Sequence, residues 1–190
     1  LAFAAAADKF EGRVHQPPGN VVVMALNEPV GVIGQIAPDD WPLLGMVSLL
    51  APAIAMGNRV VLVPSQRLPW IAADWVQVLE TSDIPAGVVN LVTGQRDELA
   101  SVLAAHADVD ALWCLDATPE LAAQLEQLSA INLKRTWIDR AEHRDAHQQV
   151  ALLARQAPHA LAFGAQHPGD GLGQVRLVER LLGALVGADH

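Results

Sequence analysis

From residue 29 onward the chain alternates two hydrophobic periodicities, and this alternation limits its folds more than any other feature. Short β-branched runs bounded by Gly, Pro or Asn lie at 31–36, 59–63, 88–92, 111–115 and 135–138. Between them apolar residues recur at helical spacing. Leu43, Val47, Leu50 and Ile54 form one stripe, Ile71, Trp75, Val78 and Leu79 a second, and Leu121, Leu125 and Leu128 a third. Strands separated by helices can run parallel, because a parallel pair needs a crossover of a dozen or more residues, and such crossovers are almost always right-handed. The expectation is an α/β fold: an open, twisted, parallel sheet of about five strands with helices on both faces. The nearly all-apolar strands agree, since a strand covered on both faces has no solvent side.

Ahead of the sheet, residues 1–10 read as the end of a helix. Pro17-Pro18-Gly19-Asn20 reads as a turn and residues 19–26 as an extended strand, an N-terminal β-arm. After residue 140 the pattern weakens into a charged, histidine-rich stretch. A helix near 150–156, a short strand near Leu161, a turn at His167-Pro168-Gly169-Asp170-Gly171 and a last apolar helix are expected there. The predicted division is 1–28 for the helix end and arm, 29–140 for the sheet domain and 141–190 for a C-terminal extension. Because the sequence opens at Leu1 inside a helical pattern, a longer polypeptide is expected.

Charge and cysteine usage exclude several function classes. Twenty-one acidic against 12 basic residues leave a formal charge of −9, so no general field favours nucleic acid or an anionic membrane. No apolar run approaches the roughly 18 residues of a membrane span, and the first residues lack the basic region of a signal peptide. The single cysteine, Cys114, permits no internal disulfide, and a cytoplasmic location is expected. Its place in an apolar strand reads as an inert core thiol.

Open parallel sheets bind ligands beyond the carboxyl ends of their strands. The segments to inspect are therefore 37–42, 64–66, 93–97, 116–119 and residue 139. The usual three-glycine dinucleotide fingerprint after the first strand is absent, and Gly31 and Gly34 read as close packing within a strand. His143 and His147, four apart beside Glu142 and Asp145, would share a helix face as a metal site requires, but no third ligand is evident and a solvated face is the better reading. The tryptophans at 41, 70, 75, 113 and 137 read as core or interface.

Asn27-Glu28-Pro29-Val30-Gly31-Val32-Ile33-Gly34-Gln35-Ile36-Ala37-Pro38 resembles the strand that leads into the Pro-Trp-Asn-Phe-Pro loop of the aldehyde dehydrogenase superfamily. Leu50-Ala51-Pro52-Ala53-Ile54-Ala55-Met56-Gly57-Asn58-Arg59-Val60-Val61 resembles its next helix and strand. Pro85-Ala86-Gly87-Val88-Val89-Asn90-Leu91-Val92-Thr93-Gly94 resembles the third strand and its glycine turn, and residues 106–110 the approach to the fourth. The resemblance implies a Rossmann-like, NAD(P)-binding domain.

Carried across residue by residue, it also implies losses. The family's oxyanion-hole asparagine falls on Asp40 and the preceding tryptophan on Asp39; an ionised carboxylate cannot donate a hydrogen bond to an oxyanion. The lysine that contacts the adenosine ribose or phosphate falls on Val63, and the ribose-selecting glutamate on Gln66. Later glycines of the third turn fall on Arg96 and Ala100, and the Gly-Ser of the fourth-strand loop on Asp116-Ala117. The general-base glutamate falls near Asp139, with Arg140 and Ala141 near the two glycines that should follow. Pro38, Val63, Pro64, Ser65, Gln66, Gly94 and Thr118 remain as vestigial cofactor-binding positions, Thr118 reading better as a helix cap. No residue takes the role of the catalytic cysteine.

The resemblance is strongest to the degenerate second half of double-length members. The function it implies is a catalytically silent domain with a structural, oligomerisation or regulatory role, which binds no cofactor tightly, or NAD(P) if any. Its partner would be a second copy or the catalytic half of the same polypeptide. The alternative is a segment of an active NAD(P)-dependent aldehyde oxidoreductase whose cysteine lies outside this chain. A small metal-dependent hydrolase built on His143 and His147 trails behind both.

Overall fold

The computed structural model describes residues 2–7, 9 and 12–140. The expected features beyond residue 140, including the His143 and His147 pair and the last apolar helix, lie outside the described residues.

A short helix α1 (Ala2–Ala7) precedes two strands, β1 (Arg13–His15) and β2 (Val23–Ala25), which pair antiparallel with His15 opposite Val23. The expected single extended strand is thus one leg of a hairpin. Its other leg, Arg-Val-His, is too short to stand out by pattern. Val14, Val22 and Met24 all face water.

The chain then alternates as expected: β3 (Val32–Ile36), α2 (Pro42–Ala55), β4 (Arg59–Val63), α3 (Trp70–Glu80), β5 (Val89–Leu91), α4 (Arg96–Ala105), β6 (Ala111–Ala117), α5 (Pro119–Ser129), a 3-10 turn and β7 (Arg135–Arg140). The strands form one five-stranded sheet in the order β5-β4-β3-β6-β7, and every pair is parallel. The expected parallel α/β sheet is therefore present. Helix α4 carries no clear apolar stripe in the sequence, because its first turn is Arg-Asp-Glu and its large apolar residues are limited to Leu99, Val102 and Leu103.

Alternation along the strands divides the core in two. Val32, Ile36, Val61, Val63, Leu112 and Cys114 pack under α4 and α5, with Leu103, Leu121 and Leu125. Ile33, Val60, Leu62, Trp113 and Leu115 pack under α2 and α3, with Met46, Leu49 and Ala72. Both faces are covered, as a purely parallel sheet demands.

Local chemistry sets the ends of the elements. Pro42 starts α2 without needing a donor, and Gly57, at φ 78°, ends it by sending its N–H to Ile54 O while Asn58 N reaches Ala53 O. Thr118 Oγ1 accepts from Leu121 N at 3.2 Å with Pro119 at the first helical position, so the cap reading of Thr118 holds. Gly34 lies in a fully buried strand where an added Cβ would meet Leu112 at 3.2 Å and Leu103 at 3.4 Å; its bareness lets α4 approach β3.

Candidate functional site

The sheet order creates one topological switch point. From β3 the chain steps outward to β4 and β5, then returns to place β6 on the other side of β3. The loops after β3 and β6 consequently diverge, and the crevice between them is where sheets of this kind hold ligands. Pro38, Asp39 and Asp40 follow β3; Pro64, Ser65 and Gln66 follow β4; Gly94 precedes α4; Asp116 to Thr118 end β6; and Asp139 lies near the end of β7. The expected site residues thus gather at the carboxyl end of the sheet.

The first loop is positioned from below. Gly45, on the first turn of α2, faces the ring of Pro38, where an added Cβ would come within 2.3 Å of Cγ. Helix and proline can meet only because that side chain is missing. Val63 is fully buried, a wall of the α4 core without a polar end. Pro64 is buried beside it.

The polar groups of these loops bond to one another. Ser65, 2% exposed, donates through Oγ to Asp39 Oδ1 at 2.5 Å and accepts from Leu68 N at 3.2 Å. Asp39 Oδ1 also accepts from Arg67 N at 3.2 Å. Burial would raise the Asp39 pKa, but the bonds from Ser65 and Arg67 and the nearby Arg96 charge outweigh it and hold the carboxyl below its ordinary value. Arg67 Nη1 approaches Asp40 Oδ1 at 3.3 Å, an exposed pair that contributes little. Gln66 Oε1 accepts from Arg96 N at 3.0 Å, so this side chain holds the start of α4.

At the centre stands Arg96, at a position where the resemblance implies a glycine. It is 8% exposed. Its Nε donates to Ala37 O at 3.2 Å, beyond β3, and one terminal nitrogen donates to Leu115 O and, at 3.3 Å, to Asp116 O, on β6. The guanidinium therefore spans the two strands that flank the switch point. Beneath it lies Cys114, with Sγ 3.7 Å from the same nitrogen. The thiol is fully buried, and that burial pushes its pKa up to about 11 despite the arginine. The available signal for Arg96 was a long cation at a helix start where small residues are expected.

Carboxylates surround this arginine. Asp116 has φ 60°, a left-handed conformation that glycine adopts freely and aspartate with some cost. Desolvation raises its pKa above the ordinary value; Arg96 opposes this, while Asp40, Asp139 and Asp39 add to it. Asp116 thus feels the other three acids across the crevice. Among the described residues no group of three His, Cys, Asp or Glu side chains is placed to hold a metal ion.

Residues 2–139 match the profile of the aldehyde dehydrogenase family. The chain is 36% identical over 137 residues to the NADP/NAD-dependent aldehyde dehydrogenase PuuC of Escherichia coli (strain K12), a match covering 72% of this chain and 28% of that protein. It is 40% identical over 107 residues to the hydroxyisobutyraldehyde dehydrogenase of Mycolicibacterium austroafricanum, covering 56% and 21%. Among solved structures, PnpE from Pseudomonas sp. WBC-3 superposes with a TM-score of 0.70 at 30% identity, covering 73% of this chain and 28% of that one. An indole-3-acetaldehyde dehydrogenase gives 0.70 at 33%, covering 74% and 32%. The chain spans less than a third of the length of these relatives. From the order of its strands to the loops at their carboxyl ends, the chain belongs to the aldehyde dehydrogenase family.

Proposed function

We propose that this chain is a catalytically silent aldehyde dehydrogenase domain with a structural, oligomerisation or regulatory role in a larger assembly. The observation that carries the reading is the crevice chemistry. Asp39, Asp40 and Asp116 lie in the loops where, by the family resemblance, a dinucleotide's pyrophosphate and a developing oxyanion would need cations and amide donors. Such groups repel a polyanion, and the wall at Val63 supplies no compensating charge. The Ser65 hydroxyl is already bonded to Asp39 and Leu68, and the Gln66 amide oxygen to Arg96. The residues present do not fit NAD(P), although a solved structure of the relative PnpE contains nicotinamide adenine dinucleotide.

Chemistry at Cys114 is disfavoured as well. A thiol held at 0% exposure with a raised pKa is a poor nucleophile, and it is the sole cysteine of the sequence. Asp139, near the general-base position, is one methylene shorter than glutamate.

Within this reading the polypeptide divides into an arm (1–28), a Rossmann-like domain (29–140) and an extension (141–190). The water-facing valines and methionine of the β1-β2 hairpin favour association with a second copy or with a catalytic half by strand pairing. No helix among the described residues is long and apolar enough to cross a membrane, and a cytoplasmic location is proposed with the rest.

Calorimetric titration of the full chain with NAD and with NADP tests the proposal. No binding is expected up to millimolar cofactor. Low-micromolar binding would instead support the alternative, a segment of an active enzyme whose cysteine lies elsewhere.

A further inference from the structure

We propose that Arg96 is the resident occupant of the switch-point crevice: the site accepts a planar guanidinium, supplied by the chain itself, where an open parallel sheet ordinarily accepts an anionic ligand. The inference rests on the reading of a silent crevice and adds what fills it.

The acceptors are backbone carbonyls. Ala37 O lies beyond β3, and Leu115 O and Asp116 O lie on β6, and all three point at the guanidinium. A phosphate in the same place would meet carbonyl oxygens where it needs donors. The N–H of Arg96 itself, at the head of α4, is taken by Gln66 Oε1. The fork geometry suits the arrangement, since Nε and a terminal nitrogen of one rigid plane reach two different strands. Carboxylates complete the preference: Asp39 and Asp116 lie close enough to interact electrostatically with the arginine, and Asp97 lies 3.6 Å from Nη1 at the solvent side. Three backbone oxygens and nearby acids make a receptacle for a cation.

Because the guanidinium lies over Cys114, the thiol reports whether the crevice is filled. The test labels Cys114 in the full chain under native conditions with an uncharged maleimide at neutral pH, for the unsubstituted protein, Arg96→Ala and Arg96→Lys. Arg96→Ala is expected to react roughly tenfold faster or more, because access limits labelling of a buried thiol. Millimolar methylguanidinium should return the rate toward that of the unsubstituted chain, whereas tetramethylammonium, with equal charge and no donors, should not. If Arg96→Ala fails to fold, Arg96→Lys carries the test: it keeps charge and stem, lacks the fork, and should show faster labelling that methylguanidinium suppresses.

Labelling indifferent to Arg96, or protection of Cys114 in Arg96→Ala by NAD instead of methylguanidinium, would overturn the proposal alone. Binding of NAD by the unsubstituted chain would overturn the silent reading and this proposal with it.

Discussion

The indole rings of Trp113 and Trp137 meet edge to face, 5.4 Å between centroids and 73° between planes, at directly paired positions of β6 and β7. Trp113 is fully buried and Trp137 half-buried, so the pair anchors β7, the strand beside β6 at the sheet's edge, to the rest of the sheet. Trp137→Ala should cost about 3 kcal/mol in urea unfolding, by lost burial and lost ring contact. A double-mutant cycle with Trp113→Leu should give a coupling of about 1 kcal/mol. Additive single effects would show that the rings merely share a core.

The Ser65 to Asp39 bond predicts a pH-dependent cost. Asp39 titrates below its ordinary 3.8 in the fold, so its ionised form contributes stability above that value and loses it as pH falls through the folded pKa. Ser65→Ala removes the donor and also strips Leu68 N of its acceptor. The expected loss is about 2 kcal/mol at neutral pH, shrinking in acid as Asp39 protonates. A loss independent of pH would assign the effect to Leu68 alone.

Asp116 runs the other way. Its pKa is raised, so its protonated form favours the fold, and stability falls as pH rises from 3.8 through the folded pKa. Asp116→Asn keeps a side chain tolerated at positive φ and removes the charge. Its melting temperature at neutral pH should exceed that of the unsubstituted chain, with the difference vanishing as pH is lowered toward 3.8. A lower melting temperature at neutral pH would show that attraction to Arg96 outweighs burial and the neighbouring acids.

Gly45 is the steric complement of Pro38. Gly45→Ala would place a methyl 2.3 Å from Cγ and 2.4 Å from Cδ of a ring that cannot rotate away. The loop carrying Asp39 and Asp40, or α2 itself, must shift, at a cost of about 2 kcal/mol. Hydrogen exchange should localise the disturbance to residues 37–45. Unchanged exchange there would mean that the helix start yields freely.

The sheet was legible because its strands carry continuous Val, Ile and Leu runs and its helices carry three clear stripes, signals set by burial on both faces. What stayed hidden was pairwise chemistry. Loop positions 38, 63 to 66, 94 and 118 could be placed by resemblance, yet nothing along the chain tells that Gln66 bonds Arg96 across 30 residues or Ser65 bonds Asp39 across 26. Arg96 showed only as a missing glycine, since the carbonyls it joins belong to strands that become neighbours through the crossover. The β1 leg of the arm, three residues long and water-facing, carried no hydrophobic signature at all.

The central strand has a history that the finished sheet conceals. β3 finds one neighbour, β4, soon after it is made, but its other neighbour is β6, and the bond from Val32 N to Asp110 Oδ2 spans 78 positions. During synthesis a strand destined for full burial therefore presents an open flank until residue 117 has left the ribosome. Over that interval the nascent chain is a ready template for wrong strand pairing, and its dependence on holding chaperones should be greatest in truncations that stop short of β6.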